Sequence, residues 1–337
     1  MPDILPVEVV GVSHVAGKYN FTEADYLNEG ADALHELGCA IIKVWFTGNP
    51  QAKYPFNSQW PDIKSLVDLA KTEYFKNLFS QPIGTFVLET YAPGREEHYY
   101  LAGMSAQQIE REKNDIRDAA AYLLQTYKGS GKTFVMQNWE GDWSLRGGAP
   151  GNDPKPQAVQ GMIDWLNARQ AGVEEARQQN KVDAVRVLHA AEVNHVARAM
   201  KNEGITVTND VLPHTKCDLY SYSAYDVPTH EPDKFKAALD YLAQKSPGEN
   251  NIYVGEYGAP ENDVGGPEVQ DKRIRAATQT ALDWRARYAI YWQLYCNELK
   301  PDSKDLKTRP QNKDMRGFWL IRPDGSRPPV TDYFIDL

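Results

Sequence analysis

Eight short β-rich runs separated by helical stretches constrain this 337-residue chain more than anything else in its sequence. The runs fall at residues 9–15 (VVGVSHV), 40–46 (AIIKVWF), 83–91 (IGTFVLETY), 133–139 (TFVMQNW), 184–191 (AVRVLHAA), 218–225 (DLYSYSAY), 252–257 (IYVGEY) and 288–295 (YAIYWQLY). Helical spacing of apolar residues is read at about 22–37, 63–79, 105–127, 157–179, 195–202, 233–244 and 267–285, with residues 205–211 blurring the fifth unit. Strands that alternate with helices imply parallel βαβ units joined by right-handed crossovers. Eight such units predict a closed (β/α)₈ barrel, an α/β fold, over an open sheet. The turn after the first run, 12–17 (VSHVAG), also lacks the GxGxxG of a dinucleotide-binding sheet. The expectation is one catalytic barrel domain over 1–337, with long βα loops.

Composition trims the list of functions. Hydrophobic residues make up 42 % and charged residues 25 %, the balance of a folded globular protein. The net charge of −9 argues against a general phosphate-backbone binder, so no nucleic-acid partner is expected. No run approaches the roughly 20 apolar residues of a membrane span. Met1, Pro2, Asp3 and Ile4 lack the basic and apolar regions of a signal peptide. The chain is therefore expected to be cytoplasmic, or exported with its signal removed. Cys39, Cys217 and Cys296 are too few and too far apart for a disulfide framework and read as inert buried thiols. The 19 Tyr, 8 Trp and 10 Phe are the informative excess, because Tyr and Trp stack on flat ligands such as sugar rings.

In a barrel of this kind the chemistry belongs at the C-terminal ends of the strands. There the sequence gathers acids, aromatics and amides: His14, Lys43 and Trp45, Glu89, Asn138 to Trp143, His189 and Glu192, Tyr222 to Asp226, Glu256, and Trp292 to Asn297. A carboxylate inside an otherwise apolar run, as Glu256 is, calls for a partner or a specific task. An ion pair with a rim cation is the plain alternative for Glu256, and helix capping or a loop cation for Glu140 and Asp142. Two glutamates at strand ends among aromatics are what glycoside hydrolysis requires, one to protonate the leaving oxygen and one to attack the anomeric carbon.

These residues resemble those of the large clan of retaining (β/α)₈ glycoside hydrolases that includes family 5 cellulases and mannanases and family 39 β-xylosidases. Val254-Gly255-Glu256-Tyr257-Gly258 is similar to the clan's nucleophile segment, Tyr291-Trp292 to its platform on the eighth strand, and Ser223-Ala224-Tyr225 to the His-x-Tyr of the sixth. Lys43 stands where family 5 members often have Arg, and residues 317–325 resemble the tail after the eighth strand. The resemblance implies Glu256 as nucleophile, Glu140 as acid and then base, and Tyr225 as a hydrogen-bond partner of Glu256. Asn138, Trp139, Trp143, His189, Trp292, Lys43 and Trp45 would bind the sugar. No cofactor and no metal are implied, and oligomeric state, sugar and linkage stay open. Trp139 separates Asn138 from Glu140 where the clan has Asn directly before the acid, and Ser223 replaces the His. Glu192 is therefore held in reserve as the acid. Two rival readings remain: a catalytically silent carbohydrate-binding protein on this scaffold, and a metal-assisted barrel hydrolase.

Other signals are set aside. Residues 129–133 (GSGKT) end like a phosphate loop, but Thr126 occupies the position of its first glycine and the segment precedes a strand. His189, Glu192 and His195 have metal-like spacing on a helix, but His189 reads as strand, so the three should diverge. Asn20-Phe21-Thr22 fits a glycosylation sequon, residues 298–316 read as a solvated charged loop, and Trp165 and Trp284 read as packing residues.

Overall fold

The computed structural model describes residues 5–95, 97–148 and 153–337. The readings at Met1–Ile4 and the middle of the glycine-rich loop, 149–152, lie outside the described residues. The strands are β1 (Val10–Ser13), β2 (Ile41–Thr47), β3 (Thr85–Tyr91), β4 (Thr133–Gln137), β5 (Arg186–Val193), β6 (Leu219–Ser223), β7 (Ile252–Tyr257) and β8 (Ala289–Tyr291). Each pairs in parallel with the next. Val10, Gly11 and Val12 of β1 align with Ala289, Ile290 and Tyr291 of β8 and close the barrel.

Side chains alternate between the two faces of each strand, so one set fills the barrel and the other packs on the helices. Ile41, Val87, Val135, Ala190, Leu219, Tyr253, Tyr288 and Ile290 form an apolar plug inside. The next inward positions towards the C-terminal ends are polar: Lys43, Glu89, Gln137, Glu192 and Ser221 are all fully buried. Outside, Phe79 packs between Phe86 and Phe134, with ring centroids 5.2 and 5.1 Å away. The helix Pro156–Gln179 lies against the helix Ala106–Thr126, and a Cβ at its Gly172 would overlap the Lys113 carbonyl oxygen.

Three sequence expectations shift. The helix read at 63–79 is two helices, Leu66–Ala70 and Glu73–Ser80, because Thr72 caps the second by accepting from Phe75 N at 3.3 Å. The eighth strand is only three residues long, and the chain leaves the sheet at Trp292, which is joined to Gln293 by a cis peptide. Residues 298–316 are less loose than a solvated loop. Leu299 and Met315 form an antiparallel bridge, and Arg316 pairs with Glu298 and Asp263. The tail after β8 returns to the barrel: Tyr19 donates its hydroxyl to the Ile321 carbonyl at 2.6 Å and accepts from Cys296 N at 3.0 Å. Cys39, Cys217 and Cys296 are all free and buried.

Candidate active site

The C-terminal ends of β4, β6, β7 and β8 surround a cavity of about 420 Å³. Trp139, Glu140, Tyr225, Glu256, Gly258, Pro260, Trp292, Glu298, Arg316 and Phe318 line it. Glu256 reaches this position through an irregularity in β7. Tyr222 aligns with Val254 and Ser223 with Glu256, so Gly255 is the extra residue of a bulge. Tyr253 points into the barrel, and without the bulge Glu256 would face the helices. The bulge turns it inward. A Cβ at Gly255 would overlap Ser221 Oγ and Glu192 Oε2, so only glycine fits.

Glu140 is placed by the turn after β4. Its φ is +23°, a sparsely populated backbone region for a side-chain-bearing residue. Polar contacts on both sides hold it there. Asn138 Nδ2 donates to the Glu192 carbonyl at 3.1 Å, and Glu192 N donates to Asn138 Oδ1 at 2.9 Å. Asp142 accepts from the backbone N–H groups of Asn194 and His195 at 3.1 Å and of Val207 at 2.8 Å. The Glu140 carboxylate accepts from Ser223 Oγ at 2.7 Å. Since Ser223 is the register partner of Glu256, the two carboxyls enter the cavity from neighbouring points of the rim. Trp139 needs no strand geometry, because β4 ends at Gln137 and the alternation stops there.

Beneath the cavity lies a caged ammonium. Lys43 Nζ is 2.9 Å from Glu89 Oε1, 2.9 Å from Glu256 Oε1 and 3.2 Å from Glu192 Oε2. Gln137 Nε2 donates to Glu89 at 2.8 Å and Glu192 at 2.9 Å, and its Oε1 accepts from Tyr253. Ser221 Oγ donates to Glu192 at 2.7 Å. Glu89, Glu192 and Glu256 converge within 4.8 Å, the kind of carboxylate set that can hold a cation. Here the Lys43 ammonium fills that point. Burial alone would depress Lys43, but Glu192, Glu256 and Glu89 outweigh it and hold the ammonium well above the ordinary lysine value. Burial lifts Glu89 to about 7 against the pull of Lys43. Burial raises Glu140 to about 7, with the Ser223 hydrogen bond opposing and Glu192 adding to the rise. Glu256 is raised by burial, lowered by Lys43, and raised again by Glu192 and Glu140, with a net upward direction.

The other expected site residues divide. Tyr225 and Trp292 line the cavity, and Trp45 packs edge-on to Trp292 at 5.7 Å. Tyr225 makes no hydrogen bond to Glu256 among the described residues; Lys43 is the partner instead. Lys43 is fully buried beneath the cavity, where its ammonium meets Glu89, Glu192 and Glu256. His189 faces the helices, since strand alternation turns Glu192 inward and His189 outward, where its Nε2 meets Arg169 Nε at 3.2 Å. His189, Glu192 and His195 therefore diverge. Asn138 bonds to β5 backbone and is buried, while Trp143 packs on His195 at 5.6 Å, away from the cavity lining. Glu192 is fully enclosed by Lys43, Gln137, Ser221 and the Glu140 N–H. The sequence alone does not single out Gln137, Ser221, Glu298 or Arg316. The first two share the inward parity of Lys43, a usable signal; the last two come together only through the tail.

No protein-family model matches the chain, and no curated protein matches it. Solved structures do. A GH5_18 protein from Streptomyces cattleya, in complex with GlcNAc, is similar at a TM-score of 0.63 and 13 % identity, over 97 % of this chain and 79 % of that one. An exo-beta-1,4-mannosidase from Opitutaceae bacterium strain TAV5 follows at 0.61 and 12 %, over 97 % and 58 %. A family 39 glycoside hydrolase from Bacteroides cellulosilyticus WH2 gives 0.56 and 12 %, over 100 % and 65 %. The chain thus spans less than two thirds of the latter two. At such identities the likeness is one of architecture: the chain has the (β/α)₈ barrel on which these glycoside hydrolases are built.

Proposed function

We propose that this protein is a glycoside hydrolase that cleaves β-glycosidic bonds of an oligo- or polysaccharide with retention. The observation that carries the reading is the pair Glu140 and Glu256 in one aromatic-lined cavity at the ends of β4 and β7. In the first step Glu256 attacks the anomeric carbon while Glu140 gives its proton to the departing oxygen. In the second, Glu140 takes a proton from water, which displaces Glu256 and restores both groups. A pKa near 7 suits Glu140 to both tasks. Glycosylation of Glu256 cancels a neighbouring negative charge, which lowers Glu140 and readies it as a base. Lys43 supplies the counter-charge that offsets part of the cost of ionising buried Glu256. Trp139, Trp292, Tyr225 and Phe318 offer apolar faces to sugar rings. The reading is supported by the barrels that the chain resembles, among them a GH5_18 protein in complex with GlcNAc, an exo-beta-1,4-mannosidase and a family 39 glycoside hydrolase.

The silent-scaffold reading needs Glu140 turned away, yet Glu140 lines the cavity. The metal-assisted reading needs His189 and its neighbours to gather a cation, and His189 instead faces Arg169 while Glu192 faces Lys43. The test uses aryl β-glycosides of several sugars. Glu256→Gln should keep its circular-dichroism spectrum and lose turnover by on the order of 10⁴-fold or more. Glu140→Ala should lose about 10²- to 10⁴-fold on poor leaving groups. It should recover much of this on activated ones, and azide should yield a β-glycosyl azide. Wild-type-like turnover by Glu256→Gln would overturn the assignment.

A further inference from the structure

The polar layer beneath the cavity holds an acid that the proposed reaction leaves idle. Glu89 is fully buried and does not line the cavity. Its Oε1 meets Lys43 Nζ at 2.9 Å and Gln137 Nε2 at 2.8 Å, and its Oε2 has no partner among the described residues. The same Lys43 Nζ lies 2.9 Å from Glu256 Oε1 and 3.2 Å from both Glu192 Oε2 and the Gly255 carbonyl. An ammonium has three protons to give and here meets four acceptors. We propose that Glu89 is a positioning residue for Glu256: by competing for the shared Lys43 ammonium, it sets how tightly the attacking carboxylate holds a proton. The proposal rests on the reading of Glu256 as nucleophile.

The surroundings single out Glu89 as the variable partner. It is faced by Lys43 from β2, neutral Gln137 from β4, Glu192 from β5, and Tyr253 and Glu256 from β7. Tyr54 and Tyr91 also feel its charge, and burial keeps both phenols protonated. Arg169 lies behind the sheet, bonded to the carbonyls of Thr90 and Gln137. Glu256 is faced in addition by Glu140 and Tyr225. Lys43 keeps its charge, and Glu192 is enclosed by Lys43, Gln137, Ser221 and a backbone N–H. Glu89, lifted by burial to about 7, changes charge near neutral pH. Ionised, it draws on Lys43 and repels Glu256. Neutral, it leaves the ammonium to Glu256 and Glu192.

Glu89→Gln removes that charge permanently, so Glu256 should release its proton more readily. The acidic limb of kcat/KM should move down by about one pH unit. A merely structural role would lower the rate at every pH and leave the limb in place, and that result overturns the proposal. If Glu256→Gln is inactive and the limb in Glu89→Gln stays put, the proposal falls and the nucleophile assignment stands. If Glu256→Gln is active, the assignment itself falls. A second measurement needs no Glu89 variant. The ¹³C carboxyl resonance of Glu89, followed with pH, should titrate above the ordinary glutamate range in the native protein. In folded Glu256→Gln it should titrate lower, because the coupling is mutual. An unchanged Glu89 titration there overturns the proposal.

Discussion

One hydroxyl sets the working range of Glu140. Ser223 Oγ is the one group among the described residues that hydrogen-bonds the Glu140 carboxyl, at 2.7 Å, and it favours the ionised form. Ser223→Ala removes that preference, so the Glu140 pKa should rise above its value of about 7. Glu140 must carry a proton to act as the acid, and activity is therefore lost as pH climbs through that pKa. The alkaline limb of kcat/KM should move up by roughly half to one unit, the equivalent of about 1 kcal/mol. An unmoved or lowered limb would show that Ser223 does not govern Glu140. At this scale the sequence is partly transparent. Strand parity alone, anchored on the plug residue Ile41, puts Lys43 inside the barrel, and the same rule turns His189 outward. It fails at Glu256, where a bulge at Gly255 adds a residue and reverses the parity. The glycine inside an otherwise apolar run is the visible trace of that bulge.

The helix Pro156–Gln179 packs closely along the helix Ala106–Thr126. Gly172 sits in mid-helix, where alanine is intrinsically better by about 1 kcal/mol. The Lys113 carbonyl takes the space a Cβ would need. Gly172→Ala should therefore destabilise by about 1–3 kcal/mol in spite of the propensity gain. A lower urea midpoint with an unchanged slope would show it, and a higher midpoint would contradict it. The eight strands and the long helices are legible as elements because each has its own periodicity. Their ends are not: β4 stops at Gln137 and β8 at Tyr291, where tertiary contacts take over from pattern. The placement of Glu140 depends on such an end. Asn138 and Asp142 fix the turn from positions that read as sugar ligand and loop acid in sequence.

At the scale of the whole molecule, the order of elements is what the sequence states most plainly, and the closed barrel β1 to β8 follows it. The docking of the tail is what it hides, because residues 298–325 join the rim through contacts with segments far away in the chain, such as Ile321 with Tyr19 and Trp319 with Glu261. The three cysteines bear on the molecule as a whole in a different way. Cys39 follows the first long helix, Cys217 precedes β6 and Cys296 follows β8, so they sample three separate sectors of the ring. Burial pushes the thiols of Cys39 and Cys217 up to about 12 and that of Cys296 to about 11. Thiolate, not thiol, reacts with disulfide reagents. In native buffer at pH 8 all three should resist a chromogenic disulfide. Each should become labelled only as its sector opens, so peptide-resolved labelling across a denaturant series would time the breaking of the ring. Equal rates would mean that the barrel opens as a unit, and unequal rates would show which seam parts first.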